Sequence, residues 1–219
     1  MRHRAFAIAV STLLALSMVG SLHAQPEEAA PPESAFRHDG LFLRFQTGFG
    51  FGRTLEKDVG GRDITMSGNA GAFRFQLGGA VFENLIIYGE LGAISLTDPS
   101  IKGERGYIAT TPQSDVTLTM SDTGLGACWY FMPVNMYISG SVTLSRDRLE
   151  IDKAEGSTDH GAGVYVSAGK EWWVSDNWGL GVAIFAYASR MQTRDSAPFS
   201  GRYTVYNTVA GIVFSATYN

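Results

Sequence analysis

The stretch "GLFLRFQTGFGFGR", residues 40–53, alternates between two kinds of side chain. One set of alternate positions is mainly apolar and comprises Leu41, Leu43, Phe45, Thr47, Phe49 and Phe51. The other set comprises Phe42, Arg44, Gln46, Gly48, Gly50 and Gly52. A period of two predicts a β-strand whose faces meet different environments. A helix is disfavoured because each of its internal glycines would cost about 1 kcal/mol relative to alanine.

A second stretch, residues 68–82, repeats this design, with Arg74 and Gln76 at the spacing of Arg44 and Gln46. Both arginines stand between apolar residues. An arginine on a lipid-facing surface near mid-membrane costs about 2–4 kcal/mol. We therefore predict that the phenylalanine faces point outward and the arginine faces inward.

Glu90, in the third predicted strand (85–96), should also point inward as the counter-charge for Arg44 or Arg74. The predicted polar network of the interior is Arg44, Gln46, Arg74, Gln76 and Glu90. Eight strands leave room only for side chains. We expect these residues to fill the interior and to pair across it.

Five further stretches have strand patterns, namely 115–131, 135–151, 162–174, 178–192 and 201–219, so we predict eight strands. In the fourth strand the alternation changes parity near Ser121 and Asp122, which predicts a β-bulge there. In the sixth strand Lys170 and Glu171 are adjacent, so one of them must face lipid or its border.

The predicted connections alternate in length. Tight turns of two to four residues surround Asn84, Asn135 and Asn177, whereas 54–65, 98–114, 147–161 and 192–201 are longer and polar. Aromatic residues flank the tight turns and predict a belt at the membrane interface: Phe82, Trp129, Tyr137, Trp172, Trp173 and Trp178. Aromatic belts and unequal connections are typical of outer-membrane barrels. The alternative is a soluble exported sandwich with aromatic caps. The inward arginines and the loop asymmetry favour an antiparallel up-and-down transmembrane β-barrel.

The N-terminus reads as an export signal over residues 1–24, with two early arginines followed by an apolar run and small residues. A flexible leader rich in Pro, Glu and Ala follows over residues 25–39, and the barrel is predicted over 40–219. The single cysteine, Cys128, excludes an internal disulfide. The formal net charge of −4 and the lack of a basic cluster argue against nucleic-acid binding.

With these features the chain resembles the small eight-stranded outer-membrane proteins of Gram-negative bacteria, the OmpA-like and OmpX-like barrel superfamily. The C-terminal stretch "NTVAGIVFSATYN", residues 207–219, is similar to the signal by which barrel-assembly machinery recognises such proteins. The resemblance implies a location in the outer membrane, a lipid environment, biogenesis through that machinery and exposure of the long loops to surface ligands.

Few residues suggest chemistry. His160 beside Asp159 could activate water, and Asp152, Glu155 and Asp159 could weakly hold a cation, but solvated loop charge explains both more simply. We therefore predict no catalytic site, cofactor or metal. The favoured function is a non-enzymatic structural or surface-interaction scaffold with a plugged polar interior. The alternatives are a small channel or transporter for small or hydrophobic solutes and, third, an outer-membrane lipid-modifying enzyme.

Overall fold

The structure, a computed structural model, describes residues 38–57, 59, 63–103, 106–107, 116–152, 154–194 and 202–219. The strands in this part of the chain are β1 (Leu41–Lys57), β2 (Ile64–Phe82), β3 (Leu85–Thr97), β4 (Ser100–Gly103), β5 (Gly106–Tyr107), β6 (Val116–Phe131), β7 (Met136–Ile151), β8 (Ala154–Ser157), β9 (Gly161–Trp173), β10 (Trp178–Arg194) and β11 (Arg202–Tyr218). The described residues contain no helix with the length and apolar character needed to cross a membrane.

Eight long strands close into an antiparallel barrel. Each pairs with its neighbours in the order β1-β2-β3-β6-β7-β9-β10-β11, and β11 pairs back onto β1 from Leu43↔Tyr218 to Lys57↔Thr204. The short strands β4 and β8 pair with β2 and β7 at the end where the long connections lie. The predicted eight-stranded up-and-down barrel is confirmed.

The long strands contain 13 to 19 residues each, more than the roughly 9–11 that cross a bilayer at a tilt. The extra length lies at the loop end. As a result β1 runs to Lys57 and β2 starts at Ile64, inside the segment 54–65 predicted as a loop. The tight turns follow β2, β6 and β9, and both Asn84 (φ 65°) and Asn135 (φ 52°) adopt the left-handed conformation that asparagine tolerates.

The two faces of the strands differ as predicted. On β1, Phe45, Phe49 and Phe51 are exposed, whereas Arg44 and Gln46 are fully buried. The same division holds on the other long strands, with apolar side chains outside and a mixed polar and apolar interior. An apolar exterior around a packed interior with many polar groups is the arrangement of a transmembrane β-barrel.

The predicted bulge at Ser121–Asp122 is wrong. Strand β6 pairs without interruption with β3 and with β7, so Asp122 points inward in phase with Leu118 and Met120. The apparent parity change arises because these two apolar residues belong to the interior. A register shift does occur between Ala80 and Phe82 on β2, next to a tight turn.

Lys170 and Glu171, at the turn end of β9, face opposite sides of the barrel wall. Glu171 is fully buried inside the barrel. Lys170 lies outside, where its Nζ donates a hydrogen bond to the carbonyl of Val134 at 2.6 Å. The lysine therefore reaches the border of the apolar surface, as long basic side chains do near a membrane interface.

Candidate functional site

The waist of the barrel holds a buried arginine between two carboxylates. Arg74 Nη1 lies 2.7 Å from Glu90 Oε1 and 2.7 Å from Asp122 Oδ1, and Arg74 Nη2 donates to Asp122 Oδ2 at 3.0 Å. Gly92 stands between Arg74 and Asp122 in the strand register. A Cβ there would lie 2.6 Å from the guanidinium, so only glycine leaves room for this contact across β3.

A second charged pair lies nearer the tight turns. Arg44 Nη2 is 3.2 Å from Glu171 Oε1, and Arg44 Nε donates to Thr217 Oγ1 at 3.1 Å. Arg44 also donates to Tyr130, whose hydroxyl donates to Glu171 Oε2 at 2.9 Å. The guanidinium lies 4.1 Å from the ring centroid of Tyr137. These contacts satisfy a fully buried charge with hydrogen bonds as well as an opposite charge.

Glutamine side chains extend the two charged pairs. Gln76 accepts a long hydrogen bond of 3.5 Å from Arg44 and donates to Glu90 Oε2 at 3.0 Å. Gln46 donates to the hydroxyl of Tyr137 at 3.3 Å. The structure thus joins Arg44, Arg74 and Glu90 through Gln76, but Glu90 pairs with Arg74 and not with Arg44.

Two carboxylates of this network were not among the predicted site residues. A bulge at Asp122, which the sequence predicts, would break the alternation and leave the direction of this side chain undetermined. Glu171 comes from β9, which does not neighbour β1, so its contact with Arg44 depends on how the barrel closes. An unbroken alternation through β6 would have predicted that Asp122 points inward. For Glu171, the cost of placing a carboxylate in lipid would have predicted the same direction.

The loop-side interior has a different composition. One wall is apolar and includes Ala70, Ile94, Leu96, Leu118 and Met120. The facing wall carries uncharged polar contacts, such as Tyr187 to Ser145 at 2.9 Å, and one carboxylate, Asp147, which accepts from Asn207 Nδ2 at 2.7 Å. Among the described residues, buried side chains therefore line the interior at its turn end and at its loop end.

His38, the second-last residue of the predicted leader, lies at the turn end of the interior and is buried. Its ring stacks on Tyr130 with centroids 3.5 Å apart, and its Nε2 donates to Asn135 Oδ1 at 2.9 Å. Its backbone carbonyl accepts from the Asn84 amide at 3.1 Å. Burial lowers the pKa of His38 below 6.5. The rest of the predicted signal and leader, apart from Asp39, lies outside the described residues.

The predicted aromatic belt divides into two groups. The exposed group is Phe82, Trp129, Trp172 and Trp178, all beside tight turns. Tyr137 is buried instead, because its neighbours Met136 and Ile138 occupy the outward positions. Trp173 has the parity of Glu171 and packs toward His38, with ring centroids 5.1 Å apart. Phe131 is exposed beside a tight turn and was missed by the sequence prediction.

The described loop residues that could carry chemistry are exposed or make other contacts. His160 and Asp159 are exposed, and the Asp159 amide donates to Thr193 at 3.0 Å. Glu155 pairs with Arg148 at 2.6 Å. Within the described ranges, no three histidine, cysteine or acidic residues are grouped so that they could hold a metal ion.

Solved structures of other barrels are similar to this chain. They include the outer membrane protein OprG from Pseudomonas aeruginosa (14% identity, 84% of this chain and 99% of that chain, TM-score 0.48) and Neisserial surface protein A (13% identity, 80% and 96%, TM-score 0.45). A third is the outer membrane protein AlkL (13% identity, 89% and 97%, TM-score 0.45). No protein-family model and no curated protein sequence matches the chain.

Proposed function

We propose that this chain is a non-enzymatic outer-membrane barrel that serves as a structural or surface-interaction scaffold with a closed interior. The observation that carries the proposal is the buried charged network centred on Arg44 and Arg74. Each charge is within hydrogen-bond reach of several partners. Opening a continuous water path would require these contacts to separate, and breaking a buried ion pair is costly.

The membrane part of the proposal is tested by fractionation and by heat-modifiable migration on gels. We expect the chain in the outer-membrane fraction and a faster-migrating folded form in unheated samples. Recovery in the soluble periplasm would contradict the proposal, because an exposed surface of phenylalanine, leucine and isoleucine is suited to lipid.

Conductance separates the scaffold from the alternative function as a small channel. Pure wild-type protein in planar bilayers should give no steady unitary currents. The matched variant is Arg74→Ala with Arg44→Ala, which removes the two guanidinium groups from the interior and should increase ion leakage. Steady wild-type currents with defined unit size would favour the channel for small or hydrophobic solutes.

The enzyme alternative is tested on the loop histidine. We expect no turnover of lipid A or phospholipid by the wild-type protein. Turnover that disappears in His160→Ala, with the barrel still heat-modifiable, would revive a lipid-modifying enzyme.

We further propose that the long connections face the cell exterior and the tight turns the periplasm, so that the loops are the surface available to a ligand. The test starts from Cys128→Ser, which removes the single native thiol. A cysteine introduced by Gly156→Cys should react on intact cells with a membrane-impermeant thiol reagent, whereas Asp176→Cys should not. The reverse result would overturn the orientation.

A further inference from the structure

A shallow groove runs along the outward face of β9, β10, β11 and β1. It consists of two adjoining hollows of about 350 and 500 Å³ that share Val164, Ala188 and Thr208. We call it the outer groove. Its lining is almost entirely apolar apart from one end.

Strand register explains the shape of the outer groove. Val166, Ala186, Ala210 and Phe51 form one row across the four strands, and Val164, Ala188, Thr208 and Arg53 form the next. In each row the small residues stand in the middle and larger ones at the edges. Toward the turns, Ile184 and Ile212 face outward and end the hollow. Because adjacent strands are about 4.8 Å apart, a floor two strands wide suits one hydrocarbon chain.

Cationic side chains surround the loop end of the outer groove. Arg53 and Arg190 line it, and the charged groups of Arg190 and Lys57 lie 5.7 and 5.8 Å from the ring centroid of Tyr206. Within the described part of the chain, none of these three cations has a carboxylate partner within ion-pair distance. This end of the groove therefore has positive charge available for an external anion.

The opposite wall of the barrel provides a contrast. Arg148 also faces outward at the loop end, on β7, but it lies 2.9 Å from Glu150 and 2.6 Å from Glu155. Arg146 beside it donates to Ser157 Oγ at 2.7 Å. Basic residues on that side already bind protein oxygen atoms, whereas no carboxylate among the described residues pairs with those at the outer groove.

We propose that the outer groove is a binding site for one phosphate-bearing acyl lipid of the leaflet on the loop side. The phosphate lies between Arg53 and Arg190, and the first part of an acyl chain lies on Ala186, Ala188 and Ala210. Charge complementarity identifies the headgroup, and the narrow apolar floor directly below it identifies the chain. The site goes beyond the scaffold role and depends on the proposed location in a membrane.

The test is native mass spectrometry of the full-length protein in a neutral detergent with three probes. Dimyristoyl phosphatidic acid carries phosphate and acyl chains, dimyristoylglycerol lacks the phosphate, and glycerol 3-phosphate lacks the chains. We expect a one-to-one adduct with phosphatidic acid and far weaker adducts with the other two. Equal binding of either partial probe would overturn the site, because it requires both parts of the ligand.

Matched variants locate the binding. One basic residue near a membrane surface contributes about a fivefold change in affinity, so Arg53→Gln and Arg190→Gln should each weaken phosphatidic acid binding about fivefold. Ala188→Leu, which fills the floor, should also weaken it. The controls are Arg148→Gln for charge and Ala93→Leu for bulk on the opposite outward face, and both should bind like the wild type.

Two further results overturn the lipid site. One is an equal loss in Arg148→Gln, which would indicate general surface charge. The other is unchanged binding in the Arg53→Gln, Arg190→Gln double variant. Every variant is first checked for heat-modifiable migration and membrane recovery. A failure of the wild type in that check rejects the proposed function, whereas a folded, membrane-bound protein insensitive to these substitutions rejects only the lipid site.

Discussion

Two consecutive rows of the same three strands have opposite chemistry. Arg74, Gly92 and Asp122 form a charged row across β2, β3 and β6, and one step toward the loops the next inward row is Ala72, Ile94 and Met120. The rows are separated by two residues along each strand, about 7 Å. The comparison shows that a barrel interior can change from ion pairs to close apolar packing within one layer of side chains.

The two rows are stabilised by different forces. In the charged row, each charge is stabilised by partners on other strands, so loss of one partner leaves an unpaired buried charge. In the apolar layer, consisting of Ala72, Ile94 and Met120 with the adjoining Ala70, Leu96 and Leu118, stability depends on filled volume. The predictions below separate these forces, beginning with the largest expected effect.

Removing the central cation should have the largest effect. Arg74→Met leaves Glu90 and Asp122 buried without their cation, so we expect the free energy of unfolding to fall by about 3–5 kcal/mol. Urea unfolding in lipid vesicles, followed by tryptophan fluorescence, measures it. Arg148→Met is the control, because ion pairs exposed to solvent contribute little to stability. Equal losses in the two variants would mean that the charged row contributes little to stability.

Removing volume from the apolar layer should come next. Leu118→Ala creates a cavity at a fully buried position, and the expected loss is about 2–4 kcal/mol in the same assay. Leu125→Ala, on the outward face of the same strand, should lose less because it opens no internal cavity. A larger effect at Leu125 would contradict the inward assignment of Leu118.

Adding a methyl group to the charged row should have a moderate effect. In Gly92→Ala the new Cβ would lie 2.6 Å from Arg74 Nη2 and 2.7 Å from Asp122 Oδ2, so the ion pair must shift, at a cost of about 1–3 kcal/mol. Gly71→Ala on the neighbouring strand has no atom within 4 Å of its Cβ and should change stability by no more than about 0.5 kcal/mol. If both variants were destabilised, the cause would be a general effect of replacing glycine in a strand and not the contact with the Arg74 guanidinium.

The smallest expected effect is the pH dependence of stability that arises from His38 at the turn end. Because burial lowers the folded-state pKa of His38 below 6.5, the unfolded chain binds a proton more readily, and stability falls as pH drops below 6.5 through the folded pKa. His38→Phe keeps an aromatic ring against Tyr130 but cannot titrate. We expect the loss of stability between pH 7.5 and pH 5 to be smaller in this variant. His160→Gln, at an exposed position, should retain the wild-type pH dependence, and an equal reduction in both variants would contradict the role of His38.

The alternation on β1 and β2 was sufficient to predict which residues point inward, because an arginine between apolar residues has only one favourable direction in lipid. The sequence was insufficient to predict which charged side chains form ion pairs with each other. Glu90 pairs with Arg74, one of the two arginines that the sequence suggests for it. Arg44 pairs instead with Glu171, on a strand that does not neighbour β1. Such contacts depend on the tilt and stagger with which the strands close, and these are properties of the whole barrel.

The remaining errors have local causes. Leu118 and Met120 resemble outward residues because they are apolar, and the alternation then predicts a bulge at Asp122 that the structure does not contain. Tyr137 and Trp173 lie close to tight turns, but they do not belong to the exposed belt. The alternation along their strands points both side chains toward the interior. His38 precedes the first strand, so no alternation of side chains predicts its direction. Its burial depends on contacts with turns that are distant in sequence.

Closure of the barrel through β1 and β11 has a kinetic consequence. Arg44 and Thr217 are 173 positions apart in sequence, and Arg44 draws its other closest partners from β6 and β9. Until the C-terminal strand arrives, β1 and β10 both present unpaired edges, which readily pair with other chains. Such long-range pairing is slow because loop-closure entropy is lost before the contacts form. We therefore expect refolding into vesicles to be concerted, and truncation before Arg202 to yield aggregates in place of a seven-stranded intermediate.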